Sequence, residues 1–321
     1  MKKKILLITS HFASKIKHGG IVTVRNNILN IKMQGFLFDE VNLSNKQFAL
    51  FNILRILFGR SKIIIIGYSD WAVFFSVPLF IFSPQRIIYI PCFHPWFTMR
   101  RKFLAFLYEN LLFWVFLRAK KIICLSMFEI NYLQQKSSRK SIFYYIPMPS
   151  FNSNKKLIFR GNKRRIVLFV GRDDENKNLD VFLRIANGLR SSSKVSYYYV
   201  VISNTFREFP PWVTHYKNLP EVDLLKIYKS TLVLFVTSKW ESLSLVAVEA
   251  ILSGAKVVCN KNVMFSELRK DFNSLILDNY NDLNVVDDFL STKISAIEQR
   301  NFKEMFSSVR FSRNLISIIS A

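Results

Sequence analysis

The chain is poor in cysteine: Cys92, Cys124 and Cys259 are the only three in 321 residues. Their number is odd, they lie far apart and none forms a CxxC pair, so neither a disulfide framework nor a zinc site is indicated, and a reducing cytosol fits. Acidic side chains are also scarce, 22 against 46 Lys plus Arg, which gives a formal charge of +24 and points to an anionic partner. Long apolar runs are missing as well. The amino terminus, with three lysines, starts like a secretory signal, but its apolar run Ile5–Ile8 is too short for an h-region and reads as a first buried strand. Between Trp71 and Phe82 the apolar stretch is interrupted by Pro78. From Phe103 to Leu117 it would reach roughly 22 Å as a helix, short of a hydrocarbon core of about 30 Å. Nucleic acid is excluded as the partner because no zinc finger, RNP-like aromatic motif or basic run interleaved for base stacking is present.

What is there is a 50% hydrophobic chain, enough to exclude disorder and to fill two domains of about 150 residues. Residues 1–150 hold 21 basic and 5 acidic side chains, +16 of the total +24. With 31 Phe in the chain, this combination resembles a protein at an anionic lipid surface. A low-GC genome favouring Lys, Ile, Asn and Phe codons gives the same composition. The segment 103–117 is flanked by Arg100-Arg101-Lys102 and Arg118-Ala119-Lys120-Lys121 and contains Phe106, Phe113, Trp114 and Phe116. Such a helix can lie in a headgroup layer, although an apolar helix covering a parallel sheet carries the same pattern and is the preferred reading.

Short β-branched runs alternate with helical-period segments, the pattern of βαβ units and parallel sheets. Strands are expected at Ile5–Thr9, Phe36–Leu43, Ile63–Ile66, Ile87–Pro91, Ile122–Leu125 and Ile142–Ile146. Helices are expected after Gly20 and at Phe48–Leu57, Met99–Leu117 and Met127–Gln135. Residues 147–163 have linker composition. The alternation then restarts with strands Ile166–Val170, Val195–Ile202, Thr214–Asn218, Leu232–Val236, Lys256–Cys259 and Ser274–Leu277. Helices follow at Asn178–Leu189, Val222–Lys229 and Leu245–Ser253, with two more from Asp282 to the end. The expected class is α/β, two Rossmann-like doubly wound domains facing across a cleft, 1–150 and 151–305, with a terminal helix in 306–321 crossing back to the first.

Two stretches carry chemistry. After Ile166–Val170 come Gly171 and Arg172, then DDENKN and a helix, so Arg172 and Lys177 bracket a tight loop at a helix amino terminus, a favourable site for a diphosphate. The run Asp173-Asp174-Glu175 is read as an acidic loop near a helix start rather than a metal motif. After Leu232–Val236 comes TSKWESLSL, then a helix containing Glu249. Glu241 falls on the loop and Glu249 one to two turns into the helix, and a carboxylate suits the paired hydroxyls of a ribose or sugar. His11 and His18, near Gly19-Gly20, are taken as polar surface.

The segments FVGRDDENKNLDVFLRIANGL and LFVTSKWESLSLVAVEAILSGAKVV resemble the diagnostic stretches of retaining GT-B type glycosyltransferases of family four, glycosyl transferases group 1. Gly19-Gly20, His94, AKKIICLSMFE, YYIPMP, LPEVDLLKIYKST and FNSLILDNYND match in order over nearly the whole chain. The resemblance implies an enzyme moving a hexose from a nucleotide-sugar donor to a glycan or lipid-linked acceptor in bacterial lipopolysaccharide, O-antigen or capsule synthesis. Arg172 and Lys177 would neutralise the leaving diphosphate, with no metal and no cofactor. Glu249 would hold the ribose and Glu241 the transferred sugar, and His94 would orient the sugar or incoming hydroxyl. Amides around Gly19, Gly20, Gly171, Ser242, Leu243, Ser244 and Leu245 would cradle phosphates. The expected location is cytoplasmic, peripheral on the inner face of the plasma membrane. Ser242, Ser244 and Val246 stand where the family has Gly, Gly and Pro, which alters the phosphate loop. Alternatives are a nucleotide-sugar epimerase of the same fold and a non-catalytic, degenerate transferase acting as a binding protein.

Overall fold

The computed structural model describes residues 3–9, 28, 36–42, 46–59, 63–67, 75–91, 106, 110, 113–139, 142–149, 165–217, 219–241, 243–263, 274–277, 280, 282–292 and 296–321. The chain divides into two compact units, Met1–Pro149 with Ser308–Ala321, and Ser150–Ser307.

The first unit holds β1 (Lys3–Thr9), β2 (Phe36–Asn42), α1 (Lys46–Leu57), β3 (Ile63–Gly67), α2 (Val77–Phe82), β4 (Ile87–Ile90), α3 (Phe113–Phe116), β5 (Lys121–Cys124), α4 (Met127–Gln135) and β6 (Phe143–Tyr145). Its strands pair in parallel in the order β2-β1-β3-β4-β5-β6. Alternate strand residues bury opposite faces. Leu6, Ile8, Ile64, Ile66, Tyr89 and Ile122 pack under α1 to α4, while Ile5, Leu7, Ile65 and Ile88 are buried on the other side. Ser126 starts α4 by accepting from the Glu129 amide (2.9 Å), and the Glu129 carboxylate takes the Leu125 amide (2.8 Å), a reciprocal cap.

Two local outcomes sharpen the sequence reading. Pro78 does not merely interrupt an apolar stretch; it occupies the first turn of α2, where its missing N–H costs nothing. In the segment 103–117, Phe113 and Phe116 are core residues, with Phe116 edge-on to Phe80 at 5.0 Å, whereas Trp114 and Phe106 are exposed. The aromatic set is therefore split between sheet packing and solvent. The expected helix after Gly20, and with it His11 and His18, lies outside the described residues apart from Ile28.

The second unit holds β7 (Ile166–Val170), α5 (Leu179–Ser192), β8 (Tyr198–Ile202), β9 (Val213–Tyr216), α6 (Glu221–Ser230), β10 (Thr231–Val236), α7 (Leu245–Leu252), β11 (Lys256–Asn260), β12 (Ser274–Leu277), α8 (Leu283–Ser291) and α9 (Ala296–Met305). All its pairings are parallel, in the order β12-β11-β10-β7-β8-β9. One face (Phe169, Val201, Phe235) packs on α5 and α8, and the other (Leu168, Leu234, Val257) on α7, α9 and Tyr228 of α6. Lys256 is buried and donates to the carbonyls of Phe289, Leu290 and Thr292 at the end of α8 (2.5 to 2.9 Å), a cation placed where the helix leaves acceptors free.

Where two helices are expected after Asp282, the described residues form three: α8, α9 and α10 (Ser308–Ser320). The last groups with the first unit, where the buried Lys121 ammonium of β5 donates to the Ile318 carbonyl (2.5 Å).

Arg86, just before β4, donates to the carbonyls of Ile56, Leu57 and Gly59 (3.0 to 3.2 Å) and so closes the carboxyl end of α1. Arg86→Leu removes all three charge-assisted bonds and is expected to cost about 1–3 kcal/mol, measured by urea denaturation against the parent chain.

Candidate functional site

In the second sheet β7 and β10 are neighbours, yet the chain runs from β7 outward through β8 and β9, then returns to β10 and runs outward the other way. The loops leaving their carboxyl ends diverge at this reversal, the position where open parallel sheets hold ligands. These loops are residues 171–178 and 237–244, which include every second-unit site residue expected from sequence except Leu245 and Glu249, both in α7.

The first loop is folded by its own acidic run. The Asp174 carboxylate accepts the Lys177 amide (2.8 Å) and pairs with the Arg172 guanidinium (3.0 Å). Asp173 accepts from the Thr205 hydroxyl (2.8 Å), and Glu175 pairs with Lys239 of the second loop (2.8 Å). These carboxylates are therefore ties, and no group of three metal-ligating side chains occurs among the described residues. Asn178 closes the loop with φ 56°, the left-handed region that asparagine tolerates better than most residues. At Gly171 a Cβ would stand 3.3 Å from the Phe169 ring, a tight approach, and 3.5 Å from the Lys177 stem, an ordinary contact.

Lys177 crosses to Glu241. Its ammonium meets the carboxylate at 2.5 Å, and the Ser238 hydroxyl donates to the same oxygen. Glu241 is buried, which by itself raises a carboxyl pKa, but the Lys177 charge and the hydrogen bonds from Lys177 and Ser238 hold it below its ordinary value. Backbone and amide bonds lock the two loops together. The Lys239 amide donates to the Asn176 carbonyl (2.7 Å), the Asn176 side chain to the Trp240 carbonyl (3.0 Å), and the Thr237 hydroxyl to the Lys177 carbonyl (2.9 Å). From the neighbouring strand end, Asn260 donates to the Ser238 carbonyl (2.7 Å), and Glu241 bridges in parallel to Val263.

Glu249 lies in the second turn of α7, buried, and accepts from the buried phenol of Tyr228 (3.1 Å). Burial, helped by the Glu249 charge, drives that phenol well above its ordinary pKa, so it stays a donor. Ser244 precedes the helix with φ −87°, an ordinary extended backbone; among the described residues only Asn178 and Gly254 have positive φ. The serine at 244 is thus accommodated without strain, and the first-turn amides of α7 are left without intrahelical acceptors.

The structure brings Lys177 and Glu241 together, and Gly171 beside them. Arg172 does not converge with Lys177: its side chain is 78% exposed and turns to Asp174. Gly19, Gly20, His94 and Ser242 lie outside the described residues. Sequence reasoning passed over Ser238, Asn176, Asn260 and Tyr228, although all but Asn260 fall in stretches singled out above.

Residues 151–305 match the family described as glycosyl transferases group 1. A curated relative, an uncharacterized 41.2 kDa protein in the cps region of Klebsiella pneumoniae, is 30% identical over 125 residues, 37% of this chain; the chain spans about a third (34%) of that relative's length. Sucrose-phosphate synthase from Thermosynechococcus elongatus superposes with a TM-score of 0.76 at 14% identity, over 99% of this chain and 98% of that one. Anabaena HepE, solved with UDP and glucose, gives 0.72 at 12% identity, over 99% of both chains. The lipopolysaccharide outer core galactosyltransferase WaaB gives 0.69 at 13% identity, over 98% and 99%. At these identities the likeness is one of fold, that of GT-B glycosyltransferases.

The Lys177–Glu241 pair has a pH signature. With the Glu241 pKa below its ordinary 4.5 in the folded chain, the pair's stabilisation is fully present above that value and is lost as pH falls through the lower folded value. Glu241→Gln is expected to lower stability by about 1–3 kcal/mol at pH 7. Denaturant titrations at successive pH steps below 4.5 should show the gap to the parent chain closing.

Proposed function

Because residues 151–305 belong to glycosyl transferases group 1 and the chain has the GT-B fold, we propose that it transfers a hexose from a nucleotide-diphosphate sugar to a glycan or lipid-linked acceptor in cell-surface polysaccharide synthesis. The observation that carries this reading is the Lys177–Glu241 pair, seated where two sheet loops diverge and next to the first turn of α7. The cps-region relative and the likeness to WaaB support the polysaccharide context.

In this reading Lys177 leaves Glu241, wholly or in part, to meet the donor diphosphate, and Arg172, being exposed, swings in from Asp174. Their charges, with the first-turn amides of α7, offset the negative charge that grows on the leaving phosphate, which makes a divalent ion unnecessary. Freed of Lys177, Glu241 accepts from hydroxyls of the transferred sugar, and Glu249 accepts from the ribose while Tyr228 fixes its carboxylate. Configuration is retained, with the leaving phosphate assisting deprotonation of the acceptor. Gly19, Gly20 and Ser242 add phosphate contacts, and His94 orients the sugar or acceptor.

Two variants test the donor site. Lys177→Ala removes the cation, and Glu249→Gln keeps an acceptor for Tyr228 while losing the carboxylate. Each is expected to reduce transfer by at least about a hundredfold with the circular dichroism unchanged. Assays use a panel of nucleotide sugars with and without a lipid-linked acceptor. Undiminished turnover in both variants rejects the assignment, and sugar interconversion without acceptor favours an epimerase.

The proposal includes docking of the first unit on an anionic bilayer. On α1 the face opposite the core exposes Leu50, Phe51 and Leu54, with Arg55 beside them; Phe58 just past the helix is 84% exposed, and Ile81 and Phe82 of α2 are also exposed. No helix among the described residues is long and apolar enough to cross a membrane, so contact would be interfacial. Sedimentation with phosphatidylglycerol vesicles is expected to fall at high salt and in Leu54→Glu/Phe58→Glu. Equal pelleting with neutral vesicles, or none with either, defeats the docking reading and leaves the catalytic one standing.

A further inference from the structure

A cavity of about 310 Å³ opens on the second unit at the amino edge of its sheet, the edge opposite the loops that leave β7 and β10. It forms because the chain does not run straight into β8. Where sequence predicts a strand from Val195, residues 193–197 instead wrap around Asp287 of α8, whose carboxylate accepts from the Ser193 hydroxyl (2.9 Å) and the Tyr197 phenol (3.2 Å). Ser193 also accepts the Val195 amide (3.1 Å). That detour leaves a hollow lined by Arg190, Lys194, Tyr197, Tyr199 and Trp212.

Tyr199 is the informative residue. It is only 4% exposed, its ring stands edge-on to Trp212 at 5.3 Å, and its hydroxyl is buried without a hydrogen-bond partner. A buried, unpaired hydroxyl costs about 1–3 kcal/mol, which an acceptor entering a hollow lined by two cations would offset. Burial, with the neighbouring Tyr197 second, raises the Tyr199 pKa to about 12, so at neutral pH the group is a neutral donor. The other phenol and Ser193 already donate to Asp287 and are held in place by it. Arg190 lies over the Trp212 ring (5.7 Å), which orients its guanidinium at the rim.

We propose that this cavity binds a small sugar acid, a monosaccharide bearing a carboxylate or phosphate, at a site separate from the donor loops. The anionic group would take the Tyr199 hydroxyl and the Arg190 and Lys194 charges. The predominantly hydroxyl and cationic lining suits a polyhydroxylated ring better than an aromatic acid. The cavity has the size of a monosaccharide site and too little room for a whole nucleotide sugar.

Titration of the full chain with glucuronate, glucose 6-phosphate, glucose and inorganic phosphate, followed by tryptophan fluorescence and thermal shift, tests this. Saturable binding is expected for the two anionic sugars, with glucose and phosphate at least tenfold weaker. Tyr199→Phe removes only an unbonded hydroxyl, so its melting point should hold or rise while affinity falls at least tenfold; Arg190→Met should weaken binding similarly. Lys177→Ala should bind as the parent does, which separates this site from the donor site, and because no transfer activity enters the readout the two readings fail independently. An oligosaccharide ending in glucuronate distinguishes the acidic end of a glycan from a free sugar acid as the natural source. Absence of saturable binding by both anionic sugars, unchanged affinity in Tyr199→Phe, or loss of binding in Lys177→Ala overturns the proposal. Phosphate binding as tightly as glucose 6-phosphate overturns its sugar component.

Discussion

A buried carboxylate cannot stand alone in a low-dielectric interior. The contact between Lys177 and Glu241 therefore dictates much of what surrounds it. Ser238 adds a second donor, and the Asn176, Thr237 and Asn260 side chains fix the backbone on both sides. The pair is also a store of charge. In the proposed reading a cation already held by one carboxylate passes to the donor diphosphate, a form of electrostatic preparation.

The same economy of charge appears elsewhere. Lys121 and Lys256 are buried lysines whose ammonium groups donate to carbonyls, Lys121 to Ile318 in the last helix and Lys256 to the end of α8. Arg86 does the same for α1. Some of the basic excess is thus consumed in closing helix ends, where cations are favoured, and cannot be counted as surface potential. The exposed apolar face of α1 is a different matter, since helix packing already has its buried side in Ala49, Ile53 and Ile56 and gains nothing from Leu50, Phe51 and Leu54.

Strand positions were legible because period-two and continuous β-branched runs have few alternative uses: Ile166–Val170, Ser274–Leu277 and the helix Met127–Gln135 match residue for residue. Errors arose where a local signal was ambiguous. Val195 and Tyr197 are good strand formers by propensity, but Asp287 takes the Tyr197 phenol and the Ser193 hydroxyl, and the strand starts only at Tyr198. Pro78 reads as a breaker in sequence and acts as a helix starter because only its position relative to the first turn matters. Arg172 and Lys177, five apart, were expected to converge; each instead found the carboxylate within its reach, Asp174 locally and Glu241 across 64 residues.

Sequence alone determined the two parallel α/β units and the pair of loops proposed to carry the chemistry, since both follow from hydrophobic periodicity and from residues close together in the chain. Tertiary structure decided which charges meet. That Lys177 faces Glu241, that Tyr228 holds Glu249, and that a tyrosine hydroxyl is left without an acceptor at the far edge of the sheet all depend on strand order. Strand order brings together side chains from distant parts of the chain, and no local pattern encodes it.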